Sequence, residues 1–321
     1  PRKPLERAEP PQAEPLGPGF ASVHEHESGP SKDPPMTLRG KKPEDRKQRL
    51  KLLLSGEAGV GKTTAAIQMP KPYIIDTEQG SVHYGDLIEE AGGAVFEANH
   101  IDEVIAEVRT LMAEPHPYLT LVIDPVSTLY NEALDEGEMK VGTEFGRHYG
   151  YANRKFKRLC NLLTTIDMNV VVTAHEKNEY GAKLEVVGKT FDGYRKLDYV
   201  FDLWLQLERQ RKTHKRLALV RKTRLREFPD MSRFEWTYQA IQERYGTQRL
   251  EKGVERIELA TPEQVERFRY LLSQLSDEQI KYLKIDKALA TVEDIADLSA
   301  QRIARGIQLI EEYKAAQQAA A

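Results

Sequence analysis

Eight consecutive residues, Gly56-Glu57-Ala58-Gly59-Val60-Gly61-Lys62-Thr63, fit the pattern G-x-x-x-x-G-K-[ST] at every position. Such a backbone lets successive N–H groups curl around phosphates, and a following helix adds the positive potential of its first turn. Lys62 would bring a compact charge to the β- and γ-phosphates. Thr63 would offer its hydroxyl to Mg²⁺, and Thr64 closes the phosphate-binding segment. The chemistry predicted is binding of a nucleoside triphosphate, ATP, with Mg²⁺.

Three further polar residues follow apolar runs. Asp124 ends the run that starts at Leu119, and a carboxylate there can hold Mg²⁺ through water. Glu78, in Ile75-Asp76-Thr77-Glu78, could orient a water for hydrolysis, with Asp76 as its rival for that role. His175 follows Asn169–Thr173 and could sense the γ-phosphate and relay its presence to the next loop. Cys/His spacing suited to zinc is absent.

Cations and aromatics form two more groups. After His175 come Tyr180, Lys183, Lys189, Phe191, Tyr194, Arg195 and Lys196. Aromatics interleaved with cations suit single-stranded DNA, because bases stack while phosphates pair. Residues 206–226 hold nine Lys/Arg against one acid, Glu208. On a hairpin these would form a positive ribbon that either tracks phosphates or protects a sheet edge from pairing. A weaker loop candidate is 131–155, with Lys140, Arg147 and Arg154.

These residues need elements to position them. Short apolar runs at Leu50–Leu54, Tyr73–Asp76, Leu119–Ile123 and Asn169–Thr173 read as buried strands. Helices fall between them: a short one stopped by Pro70 and Pro72, one at 101–113 with an apolar stripe, and one at 148–167. Alternation of this kind predicts an α/β fold with a mostly parallel sheet covered on both faces. Tyr199–Leu207 and Arg216–Arg221 read as a hairpin, and Arg233–Tyr238 as an edge strand before a helix at 239–245. From Thr261 the pattern is helical, opening on the capping box Thr261-Pro262-Glu263-Gln264 and continuing at 277–285, 291–298 and 299–314.

The domains expected are a disordered leader over 1–48, an ATPase core over 49–258, a helical region over 259–315 and a frayed tail over 316–321. The leader holds ten of the chain's 17 prolines, and its first 35 residues read as an extension outside the natural domain. Net charge is −3, so any polyanion contact must be local. The single cysteine, Cys160, excludes an intrachain disulfide and reads as packing. No apolar run approaches the roughly 18 residues of a membrane span. A cytoplasmic protein without membrane partners is the expectation.

The ordered set GEAGVGKTT, IIDTEQGS, LVIDPVSTLY, VVVTAHEK and VRKTRLREFPD resembles the RecA-type ATPases over about residues 49–250. Within them it is most similar to phage-encoded Sak-type single-strand annealing and recombination ATPases. The resemblance implies a RecA-like core, hydrolysis of ATP coupled to single-stranded DNA, and a homo-oligomer whose copies share nucleotide sites. It makes Glu78 the catalytic glutamate and the segment after His175 the DNA-binding loop. It also lets Lys222 and Arg224 reach a neighbour's ATP, and a single-strand-binding protein is a further partner. His175 stands where RecA itself has a glutamine, and RecA's N-terminal oligomerisation segment has no recognisable counterpart. A nucleotide or small-molecule kinase, and a non-catalytic annealing module switched by ATP, remain as alternatives.

Overall fold

A computed structural model describes residues 49–182, 185–210, 212–283, 285 and 295–319. The leader, Lys183, Arg211 of the basic ribbon and half of the helix expected over 291–298 lie outside the described residues. Strand β1 (Lys51–Gly56) is buried along its whole length, as the run Leu52-Leu53-Leu54 demands of a strand covered on both faces. It lies between β5 (Asn169–Ala174) and β8 (Leu203–Arg209), both parallel to it. Beyond β5 come β4 (Thr120–Asp124), β2 (Pro72–Asp76) and β3 (Ala94–Glu97), again parallel. On the other side β9 (Arg216–Thr223) and β10 (Arg233–Glu235) extend the sheet antiparallel to each preceding strand, giving the order β10-β9-β8-β1-β5-β4-β2-β3.

Six parallel strands therefore end at one edge, where open α/β sheets bind ligands. One face is covered by α3 (Ile101–Ala113), α4 (Val126–Val141) and α5 (Arg147–Thr165), whose Val108, Leu129, Phe156 and Leu159 share a core with Ile123 and Val172. Cys160 is buried in it, and burial pushes its thiol up to about 12. The opposite face takes α1 (Lys62–Ile67) and α7 (Tyr238–Tyr245) against Leu52, Leu54 and Leu205. Short helices α2 (Gly85–Glu90), α6 (Leu197–Val200) and α8 (Thr247–Leu250) complete the turns of the core.

The last helices, α9 (Pro262–Ser273), α10 (Asp277–Tyr282) and α11 (Ala300–Ala319), surround their own cluster of Phe268, Leu271, Ile303 and Ile310. The capping box forms at Thr261 and Gln264. Asp297 accepts hydrogen bonds from Arg109 at 2.9 Å and Arg158 at 2.5 Å, fastening this region to α3 and α5.

Several elements depart from the sequence reading. The strand expected from Tyr199 begins at Leu203, because Leu197 and Phe201 turn into the core through α6. Arg233–Tyr238 shortens to three strand residues, since Trp236 is buried and the Thr237 hydroxyl caps α7. The segment after His175 is a two-stranded hairpin, β6 (Glu176–Tyr180) and β7 (Val186–Phe191), rather than a loop. Residues 131–155 are two helices joined by a short tip. The terminal helix runs on to Ala319 through residues read as a frayed tail.

Candidate functional site

The loop from Gly56 to Thr63 springs from the C-terminal end of β1. Gly56 has no room for a side chain: a Cβ there would lie 2.7 Å from Val60 Cγ1 and 2.9 Å from the Leu207 carbonyl oxygen. Gly61 enters α1 with φ of 100°, a backbone conformation natural to glycine. Glu57, Ala58 and Gly59 are exposed and Val60 is buried beneath them. Lys62 Nζ donates to the carbonyls of Gly56 at 2.8 Å and Glu57 at 3.1 Å. Burial lowers the Lys62 ammonium below its ordinary value, while Asp124, Glu176 and Glu78 oppose that shift. A cation resting on loop carbonyls beside three carboxylates is poised to turn toward an arriving phosphate.

Asp124 ends β4 one strand away from β5 and is buried. It accepts hydrogen bonds from the Thr173 hydroxyl and from Thr63. Burial raises its carboxyl above the usual range, against the pull of Thr173, Thr63 and Lys62. The Thr63 hydroxyl and the Asp124 carboxylate are thus adjacent, a hard oxygen pair of the kind Mg²⁺ prefers.

Asp76 and Glu78 separate clearly. Burial works against ionisation of Asp76, but hydrogen bonds from Ser81 and the backbone N–H groups of Glu78 and Gly80 outweigh it and hold the carboxyl low. Its acceptor capacity is spent on the turn after β2. Glu78 instead projects from that turn, accepts the Thr128 hydroxyl, and lies 3.5 Å from His175 Nε2. Both side chains are about two-fifths exposed, open to a ligand above the sheet edge.

His175 is wired into the hairpin beside it. Its backbone N–H donates to Ser127 Oγ at 2.9 Å, and Ser127 Oγ donates to the Asp192 carbonyl at 2.7 Å. The next residue, Glu176, accepts from Gln206 Nε2 at 2.8 Å, and burial raises its carboxyl. Arg221 bridges Gln206 and the Lys189 carbonyl, while Lys189 Nζ comes within 3.8 Å of Glu57 in the phosphate-binding loop.

Lys62, Thr63, Asp124, Glu78 and His175 thus converge on one edge. Other expectations are redistributed. Phe191 and Tyr194 are only 6% and 7% exposed, the first edge-on to Trp204 and the second between Tyr130 and Phe156. As placed they anchor the hairpin in the core and offer no face to a base, which corrects their reading as stacking residues. Lys189, Arg195 and Lys196 are exposed. The basic ribbon is split by the strand register: Arg216 lies level with the phosphate-binding loop, whereas Lys222 and Arg224 sit at the opposite edge of the sheet. There Lys222 donates to the Phe201 carbonyl, and Arg224 to Asp202 and the Tyr199 carbonyl. Burial, then the neighbouring Arg224, lowers the Lys222 ammonium.

Thr173, Thr128, Ser127, Glu176 and Gln206 give no signal in the sequence, being polar residues that become neighbours only on folding. Arg216 is there only one cation of the ribbon, without a place. Arg216 Nε lies 3.2 Å from the Val60 carbonyl oxygen.

Residues 48–227, more than half of the chain, match the AAA domain family AAA_24. No curated protein matches the chain. Among solved structures, a KaiC-like protein from the hyperthermophilic archaeon Pyrococcus horikoshii is 16% identical, with 57% of this chain and 83% of that chain covered and a TM-score of 0.38. The RadB recombinase is 17% identical, with 65% and 91% covered and a TM-score of 0.38.

Proposed function

This chain belongs to the AAA domain family of ATPases, and from that premise we propose that it hydrolyses ATP in a manner dependent on single-stranded DNA, in recombination or strand annealing. The family and the phosphate-binding loop support the broad statement, a RecA-like P-loop ATPase. The finer reading, kinship with phage-encoded Sak-type proteins, rests on the ordered motifs from Gly56 to Asp230.

One observation carries the reading. Glu78, free of the turn that occupies Asp76, stands beside His175 on the edge where Lys62, Thr63 and Asp124 meet. Thr63 and Asp124 would hold Mg²⁺, which neutralises phosphate charge and orders the polyphosphate. Lys62 leaves its loop carbonyls for the β/γ oxygens. Glu78 orients the attacking water, accepting its proton, and Thr128 keeps the carboxylate in place.

His175 passes the state of the site to the β6–β7 hairpin through Ser127 and Asp192. Lys189, Arg195 and Lys196 are the exposed cations that would meet DNA phosphates there. A neighbouring copy in a homo-oligomer would present Lys222 and Arg224, after their exchange from Phe201, Asp202 and Tyr199, to stabilise charge in the transition state. Action in the cytoplasm, that of the host if the protein is phage-encoded, and contact with a single-strand-binding protein complete the proposal. No helix among the described residues is long and apolar enough to cross a membrane.

The test is ATP hydrolysis with and without single-stranded DNA across salt concentrations, with mass measured in parallel. Stimulation that fades as salt rises, together with assembly, is expected. Turnover indifferent to DNA but raised by a small hydroxyl acceptor would mean a kinase. Annealing that survives in Lys62→Ala would point to a non-catalytic annealing module.

A further inference from the structure

Cations on the outer strands mostly have acidic partners. Lys215 lies 2.6 Å from Glu235, Arg233 3.5 Å from Glu208, Arg224 3.1 Å from Asp202, and Arg221 4.0 Å from Glu179. Arg216 differs. It is half-buried, and no carboxylate pairs with it among the described residues. Its guanidinium rests on the phosphate-binding loop: a Cβ built on Gly61 would lie 2.8 Å from Arg216 Cζ and 2.9 Å from Nη2. The backbone beneath is fixed, because Arg216 pairs with Arg209 of β8 and its carbonyl accepts the Trp236 N–H at 2.8 Å.

A half-buried guanidinium that engages one nitrogen on a carbonyl keeps its other donors for an anion. Lys62, the other cation on this loop, is parked on backbone carbonyls in the same way. From these facts we propose that Arg216 is a nucleotide-binding residue supplied within the same chain, its guanidinium donating to the non-bridging oxygens of the bound polyphosphate. Arg216 has a planar fork of donors, of which the Val60 carbonyl engages one nitrogen, Nε. The remaining donors suit phosphate oxygens held by the Gly61–Thr63 backbone. Gly61 is then glycine for two reasons: its positive φ, and the guanidinium that covers its Cα.

This inference rests on the reading of Gly56–Thr63 as an ATP site. Its test is calorimetric titration of the full chain and of Arg216→Ala and Arg216→Lys with MgADP, and with pyrophosphate competing against MgADP. Arg216→Ala is expected to weaken MgADP at least tenfold and pyrophosphate by a similar factor. Arg216→Lys should recover part of the loss, and thermal unfolding without nucleotide should stay at or above the wild-type temperature. MgADP affinity within twofold of wild type would overturn the role of Arg216 while leaving the ATP site intact. Loss of MgADP affinity with pyrophosphate unaffected would overturn it too, moving the contact to the base or ribose. A lowered unfolding temperature matching the affinity loss would reduce Arg216 to a brace of the loop. Wild type that binds no nucleotide would remove the underlying reading as well.

Discussion

The two edges of the central sheet treat charge in opposite ways. At the C-terminal edge of the parallel strands, Lys62 and Arg216 rest on backbone carbonyls, and Glu78 and His175 stand partly open. At the other edge, Arg49 holds Asp167 through two hydrogen bonds of 3.0 and 3.1 Å and also donates to the carbonyls of Lys252 and Gly253. Lys51, buried beside it, donates to the carbonyls of Ile166 and Met168, and Arg224 is held by Asp202. A 730 Å³ cavity opens between these groups, yet those of its cations named above are already engaged. Chemistry is expected where charged groups stand partly open around the phosphate-binding loop, and structural stability where they are tied to the body of the fold. The same fold supplies both because β1 runs from one edge to the other.

The largest effect on stability is expected at the root of the hairpin that rises from the reactive edge. Phe191→Ala should cost about 4 kcal/mol in denaturant unfolding, as for other buried aromatics. Unchanged stability combined with weakened DNA binding would return Phe191 to the role of a stacking residue. Next is the closed edge: Arg49→Ala removes a buried guanidinium, strips the half-buried Asp167 of its main partner and should cost about 3 kcal/mol. Nucleotide affinity in that variant should match wild type, and a large affinity loss would show that the two edges are not independent.

Lys62→Ala should do the reverse. Roughly 100-fold weaker ATP binding, or about 2.7 kcal/mol, is expected with unfolding in the absence of nucleotide little altered. Smallest per step is a pH dependence at Lys51, read as a slope and not as a total. Burial lowers its ammonium to about 7 in the folded chain, well below its ordinary 10.5. Between those values the unfolded chain binds more protons than the folded one, so stability rises with pH through this window. The contribution is at most about 1.4 kcal/mol per pH unit, and Lys51→Met should flatten the slope between pH 7 and 10. A slope identical in the variant would remove Lys51 as its source.

Much of the reactive edge was legible in the chain because its parts are local. Gly56–Thr63 is contiguous, and Asp124 and His175 each follow an apolar run whose end must reach the sheet edge. The choice between Asp76 and Glu78 was not legible, since it depends on which carboxylate the following turn consumes through its N–H groups. Phe191 and Tyr194 misled for a related reason. A hairpin that buries one face shows the same interleaving of aromatics and cations as a surface that stacks bases. Arg216 was visible only as part of a charge count, because the pairing of β8 with β9 and of β8 with β1 decides which cations rise to the phosphate-binding loop. The parallel sheet itself was read from strand runs and short helices. The helical turn before Leu203 was not, since Tyr199–Leu207 has strand-like composition throughout.

Glu78 is proposed as the group that activates water at an ATP site built from Lys62, Thr63 and Asp124. The most direct measurement is ATP affinity and single-turnover hydrolysis of Glu78→Gln, compared with wild type in the presence of single-stranded DNA. Affinity within about threefold of wild type and hydrolysis slower by roughly 100-fold or more is the expected result. Hydrolysis at the wild-type rate in Glu78→Gln would contradict the account.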